Sequence, residues 1–236
     1  MENQNATNDK KPLENMMHEN ILFICTSIDE DTTNKMTAKL IEWVNKLKPI
    51  NPEILAKNTT TIISPYEIWP EDQPVLEVYL QTPGGLISVA QSILSLLKMA
   101  RAKGTIIKTI NLSNASSCGS LLAVSGTQGY RYMAENACNL IHYGSRGGST
   151  ERDGESKYVQ QRMEASTNIL KKIYLDNTRL TLKEINKYFT CEGSGRLYAK
   201  TCLEKGVCDW VITNDGQYTN NPKLLKDIKN LKDLSR

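Results

Sequence analysis

Between Val75 and Ile110 the chain switches twice between two hydrophobic periods, and this limits the available folds more than any other feature. Val75-Leu76-Glu77-Val78-Tyr79-Leu80 is a short apolar run of strand type. Ile87, Ala90, Ile93, Leu94 and Leu97 then recur at helical spacing, and Thr105-Ile106-Ile107-Lys108-Thr109-Ile110 is of strand type again. Strand, helix and strand in alternation predict a mainly parallel sheet with crossover helices. Upstream, Asn20 to Cys25 reads as a buried strand. Met36, Leu40, Ile41, Val44 and Leu47 share one helical face behind a cap at Thr32 or Thr33. A chain of 236 residues can bury one sizeable core, so a single α/β domain is expected.

The polar residues exclude several classes of function. With 29 basic against 26 acidic residues the net charge is +3, which leaves no electrostatic footprint for nucleic acid or a membrane surface. The six cysteines form no Cys-x-x-Cys pair and sit mostly in apolar runs, where a free thiol behaves as a small hydrophobe; a reducing compartment, no metal and no cofactor are expected. Residues 1–19 are rich in Asn, Lys and Glu without an apolar signal core, and are expected to be disordered or conditionally ordered. No apolar run is long enough to span a bilayer, so the expectation is a soluble cytoplasmic protein. The main domain is expected over 20–214, with an insertion at 48–73 and a tail over 215–236.

In a sheet of this kind, ligands and catalytic groups gather in the turns beyond the strand ends. Two such turns stand out. Thr82-Pro83-Gly84-Gly85 follows the first strand run, and Ser113-Asn114-Ala115-Ser116-Ser117-Cys118-Gly119-Ser120 follows the second. His142 closes the apolar stretch Asn139-Leu140-Ile141-His142, 25 positions after Ser117. These are the parts of a serine hydrolase: a serine at a helix start, an imidazole to take its proton, and backbone N–H groups for an oxyanion from Gly84 and Cys118. Taken singly, each has an ordinary structural explanation as a Pro-Gly turn, a helix cap or a packed histidine, and the weight rests on their conjunction. The chain has only one other histidine, His18, in the polar leader. Cys118 beside Ser117 keeps a cysteine mechanism open.

The same three pieces resemble the proteolytic subunits of Clp proteases, the ClpP family. There a Ser-Pro-Gly-Gly turn, an Ala-Ser-Met-Gly run and a Met-Ile-His-Gln run occur in this order. Here they read Thr82-Pro83-Gly84-Gly85, Ser116-Ser117-Cys118-Gly119 and Leu140-Ile141-His142-Tyr143, within a resemblance that spans roughly Ile21 to Thr213. It implies a ClpP/crotonase-like spiral of ββα units with a protruding handle helix, and a serine endopeptidase. Cys118 departs from the family's methionine, at a position that acts through its backbone.

The family's third triad residue is an aspartate, and here the pattern departs. Counting forward from Gly147-Gly148 reaches Glu192, whereas counting back from Glu204-Lys205-Gly206-Val207-Cys208-Asp209 reaches Ser194. A carboxylate is what fixes the imidazole tautomer, which favours Glu192. Asp209 reads as structural and Asp176 as a solvated helix-end residue.

Gly144 to Gly148 and the long helical stretch from about Gly154 to Asp176 correspond to the family's handle. The resemblance therefore implies a homo-oligomeric ring, a heptamer or stacked heptamers, acting on polypeptide substrates. Lys223 to Arg236 carries Leu224, Leu225, Ile228, Leu231 and Leu234 on one face, as a short amphipathic helix. Without a Walker A loop the chain carries no ATPase of its own, so delivery of unfolded substrate would need a separate AAA+ unfoldase. Processing a few proteins, as in phage head maturation, is the alternative role. A catalytically inactive ring subunit and a crotonase-type acyl-CoA enzyme are the alternatives in other classes.

Overall fold

The computed structural model describes residues 14–49, 73–142, 156–189 and 195–225. The expected insertion at 48–73 lies almost wholly outside these residues, and so do Gly144 to Gly148, Glu192, Ser194 and most of the expected C-terminal helix.

Nine strands among the described residues form one mixed sheet, with six α-helices packed around it. The strands are β1 (Met16–His18), β2 (Ile21–Ile24), β3 (Val75–Thr82), β4 (Ile106–Ser116), β5 (Arg131–Ala134), β6 (Cys138–Ile141), β7 (Gly195–Tyr198), β8 (Trp210–Ile212) and β9 (Tyr218–Thr219). The helices are α1 (Glu30–Lys46), α2 (Ile87–Ala102), α3 (Cys118–Val124), α4 (Ser156–Asn177), α5 (Leu182–Tyr188) and α6 (Ala199–Lys205). β2, β3, β4, β5 and β8 pair in parallel, with antiparallel β1 and β9 at the two ends. This is the mixed α/β architecture that the resemblance implies.

β4 has two neighbours in succession on one side. Its residues Thr109–Asn111 pair with β5, and its last three, Asn114–Ser116, pair with β6. β6 in turn pairs antiparallel with β7 and so leads away from the main sheet.

The apolar periods place the core. Leu76, Val78 and Leu80 of β3 are fully buried against Ile93 and Leu97 of α2 and Leu40 of α1. Tyr79, alternating with them, faces the other side of the sheet, where it joins a smaller cluster of Ile110, Tyr132 and Trp210. Ile41, placed on the core face of α1 by its spacing, is instead 43% exposed.

One expectation is corrected. α1 is capped by Asp29, not Thr32 or Thr33: the Asp29 carboxylate accepts from the Thr32 N–H at 2.9 Å, and Glu30 and Asp31 in the first turn favour the helix dipole. The leader, expected to be disordered or conditionally ordered through Glu19, contributes β1. Its ordering is explained by the buried Asn15, whose side-chain oxygen accepts from the N–H groups of Cys25 and Thr26 and whose amide donates to the Ser27 carbonyl, and by Met17 entering the core. His18 is exposed on this edge strand.

Asp209 is structural, as expected. It accepts from the N–H groups of Gly129 and Arg131 and from the buried Arg131 guanidinium, which fastens the start of β5 to the residue before β8. Asp176 pairs with Lys172 one helical turn away, in the open.

Candidate active site

Three parallel strands, β3, β4 and β6, end at the same edge, and the residues singled out by sequence follow each end. The Thr82–Gly85 turn leaves β3, Ser117 leaves β4 and His142 leaves β6. The register pairs Ser116 with Leu140, so His142 stands only two positions beyond the partner of the residue before Ser117.

Ser117 occupies a backbone conformation that L-residues avoid, with φ 54° and ψ −119°, between a strand and a helix. Strain of this kind persists only where the surroundings impose it. Its N–H donates to the Leu140 carbonyl at 2.8 Å, and its carbonyl accepts from the Ser120 N–H at 3.0 Å, which opens α3. From Ala115 to Val124, Ser117 alone is not fully buried. A sharp strand-to-helix turn that presents one serine outward is the geometry of a nucleophile elbow.

The glycine turn is folded tightly onto this serine. Gly84 has φ +94°, and a Cβ there would come within 2.6 Å of both the Ser116 carbonyl oxygen and the Ser117 Cβ. Its N–H donates to the Thr82 hydroxyl at 3.0 Å, while that hydroxyl donates to the Thr26 carbonyl at 2.6 Å. Thr82 is thus a fixed post for the turn, and its Cγ2 packs where a side chain on Gly119 would go. Sequence reasoning gave Thr82 no role; its place before Pro83 was the available signal.

Gly85 is held by a parallel bridge to Ile28: the Ile28 N–H donates to the Gly84 carbonyl and the Leu86 N–H to the Ile28 carbonyl. The bridge leaves the N–H and C=O of Gly85 out of its bonds to Ile28, and the C=O meets Cys118, whose thiol donates to it at 3.2 Å. Cys118 is 2% exposed, and burial pushes its thiol above the usual range. A neutral, buried donor is poorly suited to attack, which weighs against a cysteine mechanism.

His142 is half-buried at the end of β6. β7 begins at Gly195, paired with Ile141, so the chain just before β7 carries both acid candidates, Glu192 and Ser194, outside the described residues. Gly195 is pressed against the Tyr188 ring at the end of α5, leaving no room for a side chain. No group of three metal-ligating side chains lies together among the described residues. No helix among them is long and apolar enough to cross a membrane.

Comparison with known proteins gives a consistent picture. Residues 66–215 match the Clp protease family. The ATP-dependent Clp protease proteolytic subunit of Streptococcus uberis is 32% identical over 139 residues, covering 58% of this chain and 68% of the relative. The protein of the same name from Lactococcus lactis subsp. lactis is 31% identical over 140 residues, covering 58% of this chain and 67% of that one.

Proposed function

Since the chain belongs to the Clp protease family, with the serine endopeptidase function of that family, we propose that Ser117 is its nucleophile and His142 its general base. The observation that carries this reading is the imposed left-handed backbone of Ser117 at the mouth of β4, next to the strand that ends in His142. In the reaction, His142 takes the hydroxyl proton as Ser117 attacks a peptide carbonyl, then returns it to the leaving amine. Water activated by the same imidazole releases the acyl group. Glu192 is assigned as the orienting acid, with Ser194 as the alternative.

The oxyanion receives two backbone donors. One is the N–H of Cys118, directly after the nucleophile. For the other, the sequence pointed to Gly84, but the Gly84 N–H is engaged by Thr82, whereas the bridge to Ile28 uses the Gly84 carbonyl and the Leu86 N–H and leaves out the N–H of Gly85. We therefore assign the second donor to Gly85 and give Gly84 the task of letting the turn approach Ser117. Each donor contributes about 3 kcal/mol to transition-state stabilisation.

The substrates are proposed to be unfolded polypeptides or short peptides, and the site to face the interior of a homo-oligomeric ring in the cytoplasm, with an AAA+ unfoldase as partner. Ile169 and Leu175 of α4 and Leu182 of α5 are 52%, 40% and 52% exposed, apolar side chains that a neighbouring protomer would cover.

The deciding experiment is labelling with a fluorophosphonate probe. Wild type and Cys118→Ala are expected to label, and Ser117→Ala is not. Labelling that survives Ser117→Ala and disappears in Cys118→Ala would move the nucleophile to the thiol. An unlabelled wild type would leave the inactive ring subunit as the reading.

A further inference from the structure

We propose that Tyr174 of α4 is a positioning residue for the nucleophile turn, acting through Ser120; this rests on Ser117 being the nucleophile. Tyr174 is the largest of the fully buried side chains among the described residues, at 2% exposure, and its hydroxyl donates to the Ser120 Oγ at 2.8 Å. Ser120 is itself wholly buried in the first turn of α3, and its N–H donates to the Ser117 carbonyl. A two-bond path thus runs from the side of α4 to the backbone of the strained serine.

Packing alone does not account for a hydroxyl at this place. A phenylalanine would fill the same volume, and a buried hydroxyl without a partner costs about 1–3 kcal/mol, so the phenol is tolerated only because Ser120 receives it. Burial also pushes the phenol far above its ordinary range, which keeps it a proton donor across all working pH. The ring meets Phe189 edge-on, with centroids 6.1 Å apart. Phe189 ends α5 directly before the segment that carries Glu192 and Ser194. Tyr174 therefore touches the helix that begins at the nucleophile and the element that leads to the acid, and sits on the helix whose outer surface is proposed to meet a neighbour. It can set the Ser117 turn against the rest of the site without touching substrate.

The test measures two rates on the full-length protein: labelling of Ser117 by the fluorophosphonate, and hydrolysis of a short fluorogenic peptide. Tyr174→Phe is expected to lower both the labelling rate and kcat about tenfold, with KM little changed. Ser120→Ala, which cuts the same path at its other end, should do the same, and the double variant, which leaves neither hydroxyl without its partner and so keeps the fold if a single variant does not, should be no worse than either single one. A merely structural role would lower the melting temperature but leave the folded variants reacting at the wild-type rate. That result, or additive losses in the double variant, overturns the proposal. A wild type that does not label at all overturns the nucleophile assignment, and this proposal with it, which separates the two failures.

Discussion

Gly84 lies so close to Ser117 that a Cβ on the glycine would stand 2.6 Å from the Cβ of the serine. No rotamer relieves such a contact, because both atoms are fixed by the backbone. Gly84→Ala must therefore displace the serine or the turn, and is expected to reduce peptide hydrolysis at least a hundredfold. Gly216 provides the control: it also has positive φ, +81°, but nothing lies within 4 Å of the position of its Cβ. Gly216→Ala should cost only the backbone term, about 1–2 kcal/mol of stability, and leave activity intact. Steady-state kinetics and thermal melts on both variants separate the contact from the conformation.

The acid assignment is tested by charge removal without change of shape. If Glu192 orients His142, Glu192→Gln should lower kcat by about three to four orders of magnitude, while circular dichroism stays that of the wild type. Ser194→Ala should then have little effect. The reverse pattern would transfer the role to Ser194.

Three buried thiols give the fold a pH limit. Burial raises the pKa of Cys118, Cys202 and Cys208, all three of which lie in the core. An unfolded chain releases these protons near pH 8.5, whereas the native state keeps them. Below that pH both states are protonated and the stabilisation is complete; above it the unfolded state binds fewer protons, so stability falls as pH rises. The slope reaches about 1.4 kcal/mol per pH unit for each fully protected thiol. Urea unfolding at pH 7 and pH 10 should show the loss, and a thiol reagent at pH 8 should reach these three cysteines only after denaturant is added.

Assembly is measurable directly. The apolar residues left open on α4 and α5 should be covered in solution, and light scattering at micromolar concentration should give a mass many times the 26.5 kDa of the chain. Ile169→Lys, on the exposed side of α4, should shift the population toward smaller species. A monomer that hydrolyses short peptides at full rate would refute the chamber.

The parts of this protein legible in its sequence are those governed by local periodicity. The runs at Val75, Ile87 and Thr105 became β3, α2 and β4 because alternation and helical spacing each settle within a few residues. Ser117, Gly84 and His142 stand out in the sequence because the proposed chemistry needs those residue types, and the sheet brings their turns to one edge. What escaped depends on partners distant in the chain. Asn15 orders β1 by bonding to residues ten and more positions away. The long helical stretch read from about Gly154 to Asp176 did not single out Tyr174, whose hydroxyl finds its partner 54 positions upstream. Asp29 lost the cap of α1 to two threonines in the first turn, since side chains of that type serve equally well on paper.

β4 divides its partnership between β5 and β6, and this separates the survival of the molecule from its competence. His142 and the chain leading to Glu192 hang on a layer joined to β4 through three residue pairs, Asn114–Ser116 with Cys138–Leu140, while Ser117 follows a strand paired with β3 over Ile106–Asn111 and again at Ala115. A local opening that lifts β6 and β7 would silence the enzyme while the main sheet stays closed. Such an opening would require neither an inhibitor nor global unfolding. Amide exchange in β6 should be faster than in the first half of β4, with the interval between them marking how far inactivity lies from denaturation.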